Sequence, residues 1–399
     1  MIMPFDADPT FSDLDYQMMH QALGLAEKGR YTALPNPAVG CVLAREDRVI
    51  AQGWHAKAGD PHAEAMALAE ATESVKGATA YVTLEPCSHY GRTPPCANAL
   101  VEAGVGRVVV AMQDPNPQVS GQGIALLRKA GIEVSVGLLQ DRAEALNQTF
   151  FFAMRRQRPF VRSKIAMSLD GKTAMASGES RWITGDASRH QVHRLRAQHQ
   201  ALLTGIETVL ADDPSMNVRL PAADLAELGW QAPGFAPEDA NPMRVVVDSS
   251  LRMPLQARML SLPGRTLVAT TQSTYDAQSD KVALLEKAGA QVVALPTCQS
   301  DTAERVDLEA LLACLHETWA IRSLMVEAGA RLNGALVQLG RMDECHLFIA
   351  PRMLGSEARG MVFLPGLVNM SDRYEFEWQS MQPCGADMYG VVVPDLEQE

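Results

Sequence analysis

Four residues in two short segments constrain the start of this chain more than any other feature. His62-Ala63-Glu64 is followed by Glu85-Pro86-Cys87 and then by Cys96. One imidazole and two thiolates suit Zn²⁺ and leave its fourth tetrahedral position to water. To use them together, the chain must fold the segment near residue 62 against residues 87–96. Pro61-His62-Ala63-Glu64 opens the helix-forming run AEAMALAEA, so the pattern predicts His62 and Glu64 in a first helical turn. Residues 78–84 (ATAYVTL) read as a strand that ends just before Cys87, and Cys96 opens a second helical run, CANALVEAG. Ligands placed at strand ends and helix starts belong to a layered α/β fold.

The order H-x-E…P-C…C is the signature of zinc deaminases, in which the Glu moves protons and is not a ligand. It points to hydrolytic removal of an amine from a nucleobase-like ring. The bland alternative is a core histidine with two buried thiols. The usual Cys-x-x-Cys is stretched here to Cys87…Cys96, with SHYGRTPP between. A purely structural zinc site would require a fourth protein ligand, and His89 is the candidate nearby.

With 399 residues the chain is long enough for two or three domains, and 47% hydrophobic with 21% charged residues describes an ordinary globular core. No run of about twenty apolar residues is present, so no membrane span is expected. The opening MIMPFDADPTFSD lacks the basic n-region of a signal peptide, and the seven scattered cysteines point to a reducing, cytoplasmic setting. Cys41, Cys298, Cys314, Cys345 and Cys384 are expected as buried thiols. Thirty-five Lys+Arg against 47 Asp+Glu give a net charge of −12, which argues against a nucleic-acid partner. The basic cluster Arg155-Arg156-Gln157-Arg158 with Arg162 reads as solvated linker charge.

Helix and strand patterns alternate along both halves. The first half predicts helices at 13–28, 123–130 and 142–150, with strands at 39–44, 48–52, 107–112 and 133–136. The segment RRQRPF reads as a linker. In the second half strands are expected at 160–166, 201–204, 244–248, 266–269, 291–295, 324–327 and 344–350. Helices are expected at 188–198, 207–212, 281–288, 306–317 and 331–339, so the sheet should be largely parallel. Residues 221–242 read as a surface insertion, and His190, His193 and His199 as surface residues. No G-x-G-x-x-G fingerprint is present. Gly329-Ala330-Arg331-Leu332-Asn333-Gly334 follows a strand and precedes a helix, so its amides could cradle a phosphate.

The loop Cys87-Ser88-His89-Tyr90-Gly91-Arg92-Thr93-Pro94-Pro95-Cys96, with Pro35-Asn36-Pro37-Ala38-Val39-Gly40 and Gly53-Trp54-His55, resembles the deaminase half of the bifunctional deaminase/reductase family of riboflavin biosynthesis. Ser168-Leu169-Asp170-Gly171-Lys172, residues 177–184 (SGESRWIT), residues 208–214 (TVLADDP) and Glu327-Ala328-Gly329-Ala330 resemble its reductase half. The resemblance implies a cytidine-deaminase-like α/β/α domain over 1–154 and a dihydrofolate-reductase-like α/β domain over 159–399. It also implies Zn²⁺, NADPH, a phosphoribosylamino-pyrimidine substrate and a homo-oligomer, dimer or tetramer.

Carried over by residue, the resemblance makes His62, Cys87 and Cys96 the metal ligands and Glu64 the catalytic proton shuttle. Asn36 and His55 would shape the deaminase pocket. Ala166, Trp182, Thr208, Asp212, Ser249 and the run Gly329, Ala330, Arg331, Leu332, Asn333, Gly334, Ala335 would contact NADPH. Ser180, Arg196, Met216, Arg219 and Glu327 would contact the second substrate. Read alone, Trp182 could be a core residue, and Arg196 lies in a mixed helix where a solvated face is the default. Lys164, Asp170 and Glu327 are equal candidates for proton donor in the reduction. Two other readings stand beside this one: a zinc nucleoside or tRNA-base deaminase with an accessory second domain, and a zinc-stapled binding protein without catalysis.

Overall fold

The computed structural model describes residues 11–88, 95–116, 120–230, 235–300 and 303–395; His89 lies outside them. The chain divides into two compact units, Met1–Arg156 and Gln157–Glu399.

The first unit runs α1 (Asp13–Glu27), β1 (Gly40–Arg45), β2 (Arg48–Trp54), α2 (Ala63–Glu70), β3 (Thr79–Val82), α3 (Cys96–Ala103), β4 (Arg107–Val110), α4 (Gln122–Lys129), β5 (Glu133–Val136), α5 (Gln140–Leu146) and α6 (Gln148–Arg156). Its sheet has the order β2-β1-β3-β4-β5. The β1 pairings are antiparallel, and β3-β4-β5 are parallel. One face packs Met18, Met19, Phe150 and Phe151 from α1 and α6. The other packs Ala63, Ala67, Ala97, Leu100 and Leu127 from α2, α3 and α4. The result is a three-layer α/β/α sandwich whose parallel strands end toward α3 and α4.

Two local devices fix this unit. Ser12 and Asp15 form a capping box at the start of α1. Asp15 is also buried, and it accepts from Tyr81 Oη (2.9 Å) and Arg107 Nη1 (2.6 Å), which binds α1 to β3 and β4. Burial alone would raise its carboxyl, but Arg107, Ser12 and Tyr81 hold it at about 2. Gly53 on β2 is the second device: a Cβ there would stand 2.5 Å from Ala63 O, so α2 lies directly on the sheet.

The single closing helix expected at 142–150 is instead two, α5 and α6, broken at Asn147. The Asn147 side chain turns inward and bonds both the N–H (2.7 Å) and C=O (2.9 Å) of Ala38. The segment expected as a linker is helical to Arg156. Arg155 and Arg156 are exposed, as expected, but Arg158 makes two 2.7 Å bonds to Asp343, and Arg162 beyond the segment donates to Glu344 at 2.6 Å.

The second unit begins with β6 (Phe160–Ser168), β7 (Lys172–Ala174), α7 (Asp186–Ala197), β8 (Ala201–Gly205), α8 (Ile206–Asp212), α9 (Ala222–Glu227), β9 (Met243–Val247), α10 (Arg258–Ser261) and β10 (Thr266–Thr271). It continues with α11 (Gln272–Ala277), α12 (Ser279–Lys287), β11 (Ala290–Leu295), β12 (Thr297–Ser300), β13 (Ala303–Val306), α13 (Leu308–Glu317), β14 (Ser323–Val326) and α14 (Ala330–Gln338). It closes with β15 (Glu344–Ala350), β16 (Arg359–Gly360), β17 (Phe376–Cys384) and β18 (Asp387–Pro394). The main sheet has the order β11-β10-β9-β8-β14-β6-β15-β18-β17, parallel from β11 to β15 and antiparallel over the final hairpin. Leu311, Leu312, Leu315 and Leu336 from α13 and α14 cover one face; Val192, Leu195, Val209 and Leu285 from α7, α8 and α12 cover the other.

Helix α13 starts at Leu308 rather than 306. Asp307 caps it by accepting from Glu309 N (2.8 Å) and Ala310 N (3.2 Å), which leaves Val306 in strand β13. The 221–242 stretch carries helix α9 and a short 3-10 turn, with Leu225 and Ala240 buried. Cys298 is exposed rather than buried, and Cys314 and Cys384 are half-buried.

Candidate functional sites

The first unit gathers His62, Cys87 and Cys96. His62 is the N-cap residue of α2, Cys87 lies beyond the end of β3, and Cys96 is the first residue of α3. Their ligand atoms lie within 4.8 Å of one another. His62 Nδ1 stands 3.5 Å from Cys87 Sγ and 3.3 Å from Cys96 Sγ. Tetrahedral zinc, with Zn–N near 2.0 Å and Zn–S near 2.3 Å, places such N and S atoms about 3.5 Å apart. The donor set and its spacing therefore fit zinc.

The electrostatics agree. Cys87 is lowered to about 4 by hydrogen bonds from Cys96 and His62, and Cys96 is raised by the Cys87 sulfur beside it and by burial. Two close sulfurs can both be thiolates only with a cation between them. Glu64, in the first turn of α2, is 3% exposed. Burial, with Cys87 adding to it, lifts its carboxyl to about 7, the range in which a group both takes and gives protons.

Asn36 and His55 form one unit. His55 is 2% exposed, with Nδ1 3.1 Å from Pro61 O and Nε2 3.0 Å from Asn36 Nδ2. Since Nδ1 must donate to a carbonyl, Nε2 of the neutral ring accepts from the Asn36 amide. Both His55 nitrogens are committed, and burial keeps the ring neutral by lowering its pKa.

In the second unit β9, β8, β14, β6 and β15 are parallel neighbours, so their C-terminal ends share one edge. Ser249 follows β9, Thr208 and Asp212 lie in α8 after β8, Glu327–Ala335 follows β14, and Ala166 lies near the end of β6. Such an edge is where open α/β sheets take ligands. Helix α14 starts at the N-cap Gly329 with no side-chain cap, which leaves its first amides suited to an anionic ligand. Asn333 and Gly334 face inward: Asn333 Nδ2 donates to Ala328 O at 3.0 Å and Oδ1 accepts from Ser163 Oγ at 3.3 Å. Ser249 Oγ is engaged by Val306 N at 3.0 Å. Met216 lies in the core at 3% exposed, Ser180 is half-buried, and Arg219 is exposed.

Trp182 is not a core residue; it is 62% exposed. Arg189 stands over its ring at 4.6 Å, and Arg352 Nη1 donates to its carbonyl at 2.6 Å. Arg196 is not a solvated residue either: Nε and Nη2 fork onto Glu327 at 2.6 and 2.9 Å. Lys164 Nζ lies 3.9 Å from Glu327 Oε2 on the neighbouring strand. His193, one turn before Arg196 on α7, is pushed down to about 4 by burial and by Arg196 and Arg219. Expected on the surface, it is half-buried instead. His199, also expected there but unlike the half-buried His193, is fully buried, at 5% exposed, and its ring bonds Leu195 O at 2.6 Å.

The model of the cytidine and deoxycytidylate deaminase zinc-binding region matches residues 12–112, and that of the RibD C-terminal domain matches residues 159–389. The riboflavin biosynthesis protein RibD of Escherichia coli strain K12 is 46% identical over 376 residues, which cover 94% of this chain and 98% of that protein. The chain belongs to the RibD family. RibD of Haemophilus influenzae is 43% identical over 395 residues, covering 96% of this chain and 98% of its own. Among solved structures, Acinetobacter baumannii RibD (form 1) superposes with a TM-score of 0.83 at 41% identity, covering 96% of this chain and 99% of that one. A Thermotoga maritima protein described as a diaminohydroxyphosphoribosylaminopyrimidine deaminase/5-amino-6-(5-phosphoribosylamino)uracil reductase superposes with a TM-score of 0.77 at 32% identity, covering 96% and 99%. Membership of the RibD family bears out the resemblance in both halves. It sets aside the nucleoside or tRNA-base deaminase reading, because the second unit is itself a RibD reductase domain.

Proposed function

We propose that this chain is a bifunctional enzyme of riboflavin biosynthesis. It removes ammonia from 2,5-diamino-6-(5-phosphoribosylamino)pyrimidin-4(3H)-one, then reduces the ribosyl group of 5-amino-6-(5-phosphoribosylamino)uracil to ribityl. Residues 1–154 would carry the first step and 159–399 the second. The observation that carries the reading is the convergence of His62 Nδ1 and the Cys87 and Cys96 sulfurs beside a buried Glu64, in a chain of the RibD family.

His62, Cys87 and Cys96 would hold zinc, which when bound supplies a Lewis acid that makes water nucleophilic near neutral pH. Glu64 would take a proton from the attacking water on its carboxylate, then return protons to the ring nitrogen and the departing ammonia. With its Nδ2 committed to His55, Asn36 would have its Oδ1 to accept from a substrate N–H or O–H.

In the second unit NADPH, when bound, would supply the hydride for the reduction. The turns after β8, β9 and β14 and the Trp182 ring would hold the cofactor. Arg196, Arg219 and Glu327 would hold the substrate, with Ser180 and Met216 at its margin. Among the three donor candidates the charges separate. Asp170 is held at about 2 by Ser168 Oγ and the amides of Leu354 and Gly355. Glu327 is also held at about 2: burial opposes ionisation, but Arg196 and Lys164 outweigh it. Both are ionised at neutral pH. Lys164, whose Nζ stands 3.9 Å from Glu327 Oε2, is made more acidic by burial and is proposed as the donor.

The reading includes a cytoplasmic homo-oligomer without nucleic-acid or membrane partners. The net charge of −12 supports the lack of a nucleic-acid partner, and no helix among the described residues is long and apolar enough to cross a membrane. The test is to supply the zinc-loaded chain with the diaminopyrimidine ribosylphosphate and follow ammonia and nicotinamide absorbance. Ammonia release without NADPH, then NADPH oxidation on its addition, is the expected result. Ammonia without oxidation would overturn the reductase assignment.

A further inference from the structure

Glu85 immediately precedes Pro86-Cys87 and is 4% exposed. Its carboxylate accepts four main-chain N–H groups. Oε1 accepts from Gly123 (2.9 Å) and Ile124 (3.2 Å), and Oε2 from Gly121 (2.9 Å) and Asp114 (3.2 Å). A carboxylate offers about four lone-pair sites, so this one is saturated. The Glu85 N–H donates in turn to Met112 O at 2.9 Å. One side chain thus joins the exit of β3, the exit of β4 and the first turn of α4.

The neighbouring contacts lead to the metal ligand. A Cβ at Gly123 would stand 1.9 Å from Pro86 O, so α4 begins directly against the residue before Cys87. From the other side Cys87 O accepts from Ala97 N at 3.1 Å, and Cys87 Sγ accepts from Cys96 N at 3.3 Å. Cys87 is therefore held between the starts of α3 and α4, and Glu85 is the anchor on the α4 side. Main-chain donors have almost no freedom to follow a displaced acceptor, so a shift of this carboxylate moves the backbone that carries Cys87.

We propose that Glu85 is a positioning residue of the deaminase, setting Cys87 against His62 and Cys96 through main-chain hydrogen bonds. The proposal rests on reading the first unit as a zinc deaminase. It extends the known role of outer partners, which orient ligands and change metal affinity or activity by about 10–100-fold when removed.

The test compares the full-length chain with Glu85→Gln and Glu85→Asp, each loaded with Co²⁺ in place of zinc. Gln replaces one acceptor oxygen by an NH₂ that would face two N–H donors; Asp keeps the charge but is one methylene shorter. In Glu85→Gln we expect changed thiolate-to-cobalt and ligand-field absorption, with metal release to a chelator about 10–100-fold faster. Ammonia release should fall by a similar factor, with Glu85→Asp between the two. NADPH oxidation with substrate already deaminated reports that the second unit is intact, and cobalt stoichiometry with far-ultraviolet circular dichroism reports on the folding of the first. Wild-type cobalt absorption and release rate in Glu85→Gln, with only a lowered melting temperature, would make Glu85 a structural staple and overturn the proposal. If Glu85→Gln does not fold, Glu85→Asp is judged by the same spectrum and release rate. A wild-type chain that binds Co²⁺ through thiolates but frees no ammonia would defeat the deaminase reading, while the spectral comparison still decides the role of Glu85.

Discussion

Arg196 on α7 and Glu327 just past β14 meet as a two-bond fork, although 131 residues separate them in sequence. Their side chains are 12% and 14% exposed, so neither charge is well solvated without the other. Removing one partner of such a buried pair costs about 3–5 kcal/mol. Glu327→Ala should lower the stability of the second unit by that order in denaturant unfolding and abolish reduction. A variant with wild-type stability would show that water replaces the carboxylate.

Lys164 is half-buried beside this pair, and its assigned role is narrow. Lys164→Met should slow NADPH oxidation by about 10²–10⁴-fold, the range of a general acid, and leave ammonia release untouched. A loss confined to KM, with kcat unchanged, would make Lys164 a binding residue instead.

Glu64 carries the corresponding role in the first unit. Glu64→Gln should retain zinc, measured by metal analysis, while ammonia release drops by about 10²–10⁴-fold. Deamination at the wild-type rate would refute the proton-shuttle mechanism.

Metal removal should divide the two activities. A chelator that extracts zinc should stop ammonia release, yet NADPH oxidation should continue when the deaminated intermediate is supplied. Parallel loss of both would contradict the assignment of one activity to each unit.

His199 gives the second unit an acid-side weakness. Burial and the Arg162 charge lower its pKa to about 3 in the folded chain. Unfolded, it takes up a proton near its ordinary value of about 6.5. The unfolded state therefore binds more protons between these values, and stability falls as pH drops from about 6.5 toward 3. His193, at about 4, acts in the same direction. His199→Gln should flatten the decline in melting temperature between pH 6.5 and 4.5; an unchanged slope would assign it elsewhere.

Much of the fold could be read from periodicity, and the failures share a physical cause. Strands such as RVVV at 107–110 and MRVVV at 243–247 are buried on both faces, so their apolar runs are plain. Strand β17 is an edge strand exposed along nearly its whole length and contains Pro383, so no alternation marks it. The metal ligands could be read because their chemistry is rare in combination. Arg158, Arg162, Arg196 and His199 looked like solvated charge because their partners, Asp343, Glu344, Glu327 and Leu195 O, are mostly brought to them by the fold. Glu85 gave no signal beyond its place before Pro86-Cys87, since its partners are main-chain groups that carry no sequence identity.

The position of β6 has a consequence for synthesis. It is the first strand of the second unit to leave the ribosome, yet among the described residues its sheet partners are β14 and β15, which begin at Ser323 and Glu344. At about 5–20 residues per second, roughly 160 residues of further translation keep that strand without its neighbours for about 8–30 s. The first unit, whose strands all lie before residue 137, can finish folding and take up its metal in that interval. The nascent chain should therefore complete its metal site while β6, with β8–β11 already emerged, still waits for the two strands that flank it.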